Sequence, residues 1–100
     1  MILIIQSDNT VYIVSLSLEM RIKHEGGETV YIRFSHYIKI EKRRIKTYGI
    51  AVISAKKTEI RKDVSTDGEA LKQLVKRMNK DKVSIILLND IIEDFYAEHF

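Results

Sequence analysis

The sequence predicts a single α+β domain over residues 1–100: an antiparallel sheet of four to five strands built on a long hairpin, followed by two C-terminal helices packed on one face. Three observations carry this. Apolar and polar residues alternate through about 11–24 and again through about 28–41, the period of a half-buried strand. Two later stretches, about 67–79 and 84–98, space their apolar residues as helices do. Proline is absent, and no low-complexity run or Gly/Ser linker divides the chain.

The opening Met1-Ile2-Leu3-Ile4-Ile5 lacks a basic flank and ends at Gln6-Ser7-Asp8-Asn9, so it reads as a strand rather than a secretory signal. The turn at Ser7-Asp8-Asn9-Thr10 lets it pair with either neighbour. In the next run Tyr12, Val14, Leu16, Leu18, Met20 and Ile22 share a face; in the one after, Val30, Ile32, Phe34, Ile38 and Ile40 do. A two-residue Gly26-Gly27 loop would set apolar residues against polar ones across the pair. A three-residue Glu25-Gly26-Gly27 loop with Gly27 left-handed is therefore expected. That register sets Met20 opposite Ile32, Leu18 opposite Phe34 and Glu19 opposite Arg33. A turn at Lys42-Arg43-Arg44 should lead to a third strand, Ile45 to Ala55, with a short fourth around Thr58 to Lys62.

Thr66-Asp67-Gly68-Glu69 then reads as a capping box with Thr66 as the cap. Ala70, Leu71, Leu74, Val75 and Met78 follow at helical spacing, and Asn79 marks the end. Ser84 is placed to cap a second helix whose Leu88, Ile91, Ile92 and Phe95 form a core-facing stripe. Both helices should cover the even-numbered face of the sheet.

The segment Val83-Ser84-Ile85-Ile86-Leu87-Leu88-Asn89-Asp90-Ile91-Ile92-Glu93-Asp94-Phe95 resembles a family of small bacterial proteins that end in Val-Ser-Pro-Ile-His-Leu-x-Asp-Val-Ile-Glu-Asp-Phe. Tyr48-Gly49-Ile50 and a helix ending near Asn79 are also similar to that family, so the resemblance spans roughly residues 45–98. Ile85 stands where the family tends to have proline, and Leu87 where it tends to have histidine. The resemblance implies the fold of the C-terminal half and no activity.

The absence of cysteine excludes a disulfide framework and a thiolate metal site, and suits a reducing cytoplasm. No apolar stretch is long enough to span a membrane. The net charge is +3, unevenly spread: residues 1–66 hold 12 Lys/Arg against 7 Asp/Glu, and residues 67–100 hold 5 against 7. Two faces of opposite sign are expected, either of which can meet a partner.

No catalytic, metal-binding or cofactor motif is present. His24, His36 and His99 lack metal-ligand spacing, and His36 falls on the core-side face. Gly26-Gly27 is a turn rather than a phosphate loop, and no Ser/His/Asp set can be assembled. Asp90, Glu93, Asp94 and Glu98 line one helix face, which reads as a solvated or acidic docking face rather than a cation site.

The basic cluster Lys39, Lys42, Arg43, Arg44 and Lys46 adjoins a strand whose open face should display Tyr31, Arg33, Ser35, Tyr37 and Lys39. Aromatics interleaved with cations are what single-stranded nucleic acid needs from a sheet. The expectation is nevertheless a non-catalytic binding or regulatory module, cytoplasmic and without cofactor, working through a protein partner or self-association as a homodimer. Single-stranded nucleic-acid binding through Tyr31, Arg33, Tyr37, Lys39, Lys42, Arg43, Arg44 and Lys46 is the alternative.

Overall fold

Ile2–Ser7 (β1) and Thr10–Ser15 (β2) form an antiparallel hairpin, and alternation puts Leu3, Ile5, Tyr12 and Val14 on its inner side. The computed structural model describes residues 2–7 and 9–99, with His99 described by its backbone alone. Asp8 of the expected turn and the side chain of His99 therefore lie outside the described residues.

The alternation does not continue as a strand. Leu18–Glu25 is a helix, α1, so the expected hairpin of 11–24 with 28–41 and its pairing of Leu18, Glu19 and Met20 with β residues do not form. Local chemistry decides the matter. The Ser17 hydroxyl accepts from the Met20 amide at 3.2 Å, and Glu19–Lys23 and Arg21–Glu25 pair one turn apart. Gly27, at φ 90°, is left-handed as expected, but as the residue that closes a helix. Its amide donates to His24 O and the Glu28 amide to Lys23 O, the paired bonds of a Schellman cap.

The long hairpin lies further on. Val30–Ile40 (β3) pairs with Arg43–Ile53 (β4) along its whole length, from Val30 opposite Ile53 to Ile40 opposite Arg43. Its turn is Glu41-Lys42, one residue before the expected one, with φ of 48° and 69°. Two left-handed residues make a type I′ turn, which matches strand twist but favours Asn-Gly. Replacing Glu41→Asn with Lys42→Gly should raise stability by about 1 kcal/mol in urea denaturation, and an unchanged or lower midpoint would count against this strain.

Thr58–Ser65 (β5) completes a three-stranded sheet in the order β3-β4-β5, separate from β1-β2. Two extra β5 residues fall between Ile50↔Arg61 and Tyr48↔Ser65, and Asp63 in this bulge has φ 55°. Gly68–Lys80 (α2), a 3₁₀ turn at Ile85–Leu87 and Leu88–His99 (α3) follow. The α2 cap is Asp67, whose side chain accepts from Ala70 N, and not Thr66. Ser84 caps the 3₁₀ turn through Ile86 N.

The sheet is covered on both faces, and the helices take the odd side of β3, not the even one. Tyr31, Ile50, Val52 and Val64 pack there with Leu71, Leu74, Val75 and Met78 of α2 and Leu88, Ile92 and Phe95 of α3. The even side is covered by the β1-β2 hairpin, where Tyr12 and Val14 meet Phe34 and Ala51 and Leu16 meets Val30 and Ile53. Stacked sheet and packed helices give three layers. Among the described residues no helix is long and apolar enough to cross a membrane.

Candidate functional site

The expected open face of β3 divides into a buried part and a projecting part. Tyr31 is 1% exposed: its ring is in the helix-side core and its hydroxyl donates to Val83 O at 2.7 Å. Burial raises the Tyr31 pKa from its ordinary value of 10.0. Arg33 is engaged as well, donating to Gly68 O at 2.7 Å with its guanidinium 4.9 Å from the Tyr48 ring centre. Gly68 opens α2 against that same ring, leaving no room for a Cβ. The helices cover this face as far as Tyr48.

Beyond Tyr48 the β3-β4 hairpin carries the rest of the predicted surface. Tyr37 is 55% exposed, with Arg44 stacked 4.3 Å from its ring centre, and Lys46 sits opposite it in the ladder, 5.6 Å from Tyr48. Lys39 pairs with Arg44 on the same side. Alternation puts Arg43 on the other side, opposite exposed Ile40, and Lys42 is in the turn. Six of the eight nominated residues thus lie on the projecting end.

On the even side His36 is half-buried, edge-on to Tyr12, and its Nε2 lies 2.7 Å from Asp63 Oδ1. That bond ties the bulge of β5 to β3. His24 lies in the last turn of α1. Among the described residues no group of three or more acidic, His or Cys side chains could hold a metal.

Asp90, Glu93, Asp94 and Glu98 are all exposed on α3, with grooves on either flank of the helix. Asp94 and Glu98 line a groove shared with Arg77 and Asp81, whereas Glu93 lines another with Arg61 and Lys62. Glu59 of β5 has its pKa lowered, first by a hydrogen bond from Lys57 and further by the charges of Lys57 and Arg61.

Sequence reasoning missed a different surface. The outward side of β1-β2 shows Ile2 at 66% exposure, Ile4 at 73%, Val11 at 58% and Ile13 at 66%. Gln6 and Ser15 complete that side, so none of its six residues is charged. The signal lay in residues 2–5 and 11–14, where apolar residues occupy both alternating faces and leave one without a natural cover.

No curated protein and no solved structure matches the chain. A family model matches residues 15–98, from the last residue of β2 to the last but one of α3, so the three-stranded sheet, α1, α2 and nearly all of α3 fall inside it. The chain belongs to that family, described as a family of unknown function (DUF6514).

Proposed function

We propose that the protein is a non-catalytic, cytoplasmic binding module that works through protein–protein contact, and that it self-associates through the outer side of β1-β2. The observation that carries this is the uncharged aliphatic patch of Ile2, Ile4, Val11 and Ile13. Four such side chains expose on the order of 400 Å², the size at which an apolar patch on a small protein is commonly an interface. The absence of charge favours a second copy. A contact through a two-fold axis sets the same patch against itself, with residues at the axis meeting their own equivalents, and here no like charges meet. The patch is about half the 800 Å² that one partner gives to a standard interface, so the dimer is weak and concentration-dependent.

The pair that comes nearest to acid–base machinery, His36–Asp63, has a structural role in holding the bulge. The absence of cysteine suits a reducing compartment.

Light scattering across a range of concentrations tests the reading. The native chain should pass from monomer to dimer as concentration rises, and Ile4→Lys/Ile13→Glu, which sets opposite charges across the ladder, should stay monomeric with an unchanged circular dichroism spectrum. A native chain that is strictly monomeric at about 0.5 mM would remove self-association, since a weaker contact would have no standing in a cell.

A further inference from the structure

A second surface runs along the edge of the three-stranded sheet. β3 is an outer strand, and its edge is already closed at one point. The Tyr31 amide donates to Asn79 Oδ1 at 2.8 Å, and Asn79 Nδ2 donates back to Tyr31 O at 2.8 Å. The carboxamide of α2 thus stands where a neighbouring strand's residue would. The β3-β4 register is unbroken, so the same alternation directs the amide and carbonyl of Arg33, Ser35, Tyr37 and Lys39 outward. Among the described residues no hydrogen bond engages these backbone groups. Neither proline nor bulge interrupts this stretch, so of the devices that commonly protect an edge it carries charge, at Arg33 and Lys39.

The side chains beside this edge share one sign. Arg33, Lys39, Arg44 and Lys46 lie on the helix side of β3 and β4, while Lys72 and Lys76 of α2 line the groove that runs past Tyr31 and Arg33. Among the described residues none of the six is in an ion pair with a carboxylate. Self-pairing is disfavoured: an antiparallel match of this stretch with a second copy would set Arg33 against Lys39 twice.

We propose that the β3 edge from Arg33 to Lys39 binds an acidic extended peptide as an added antiparallel strand. Donor and acceptor alternate along the edge as a peptide backbone requires, and acidic side chains at every second position of the guest fall beside the cations. Nucleic acid fits less well. A phosphate backbone has no amide donors to offer the outward carbonyls, and one face of the exposed Tyr37 is occupied by Arg44.

Fluorescence anisotropy on the full chain tests this with a labelled peptide alternating valine and glutamate. Two controls are the same peptide methylated on its glutamate nitrogens and single-stranded RNA of equal charge. Ser35→Pro removes an outward amide while sparing the bonds to β4, the position at which an edge strand tolerates proline. Saturable binding that weakens at least about tenfold with the methylated peptide and with Ser35→Pro is expected. Equal binding of the methylated peptide would reduce the effect to charge attraction and overturn strand addition without relying on any variant. No binding of the acidic peptide, or tighter binding of the RNA, would overturn the proposal in favour of an idle edge or a nucleic-acid surface.

Discussion

Tyr31→Ala should lower stability by about 3–5 kcal/mol, the range for losing a large aromatic side chain from a packed core. The ring is buried with Ile50, Val52 and the inner faces of α2 and α3, and the hydroxyl ties the sheet to the loop after α2 through Val83 O. Tyr31→Phe keeps the packing and leaves that carbonyl without its donor, so about 1 kcal/mol is expected. The pH dependence has a defined sign. Burial raises the folded pKa above 10.0, so the folded state holds the phenol's proton more tightly than the unfolded chain does. Its stabilisation is complete below about pH 10 and is lost as pH rises through the folded value. Urea denaturation at neutral and alkaline pH checks both effects, and Tyr31→Phe should be the less alkali-sensitive protein. If Tyr31 lay on an open sheet face, Tyr31→Ala would cost within about 0.5 kcal/mol.

Gly49→Ala should cost about 3 kcal/mol although it adds a single methyl group. A Cβ at Gly49 would lie 2.4 Å from the carbonyl oxygen of Arg61 and 2.6 Å from the Phe34 ring. The ring can give way, whereas the carbonyl belongs to β5 beside its bulge and is held by pairing with Ile50. Gly49→Ala/Phe34→Leu should therefore recover only part of the loss. Recovery to native stability would show that the ring, and not the backbone of β5, sets the requirement for glycine.

These two positions bear on what was legible in the sequence. The α+β class, β3, the body of β4 (expected two residues late at each end) and both C-terminal helices could be read from apolar spacing, because each of those elements buries a stripe. Residues 16–25 misled because Leu16, Leu18, Met20 and Ile22 satisfy a period of two by chance. Leu18 and Ile22 are exposed and no residue of α1 is fully buried, so α1 has no apolar stripe and rests on its caps, its ion pairs and the packing of half-buried Met20 against Leu16, Val30 and Ile53. The burial of Tyr31 was hidden by its amphipathic character, since a tyrosine with a distant carbonyl partner looks the same in sequence as one in solvent. Arg33 was hidden in the same way, because nothing local announces the α2 carbonyl that receives it. Tyr37, Lys39, Arg44 and Lys46 were found as a group because alternation on one hairpin places them together without help from the rest of the chain.

The strand order has a consequence for how the chain reaches this state. Every strand pairing joins sequence neighbours, β1 with β2, β3 with β4 and β4 with β5, and no crossover connection is needed within either sheet. Contact order within the sheets is low, and chains of that kind collapse quickly because short loops close cheaply. The long-range contacts, and with them the larger closure entropy, are those that seat hairpin and helices on opposite faces of the meander. The Tyr31–Asn79 clasp, 48 residues apart, is one of them. Until the clasp forms, the β3 edge of the nascent protein is open along its whole length.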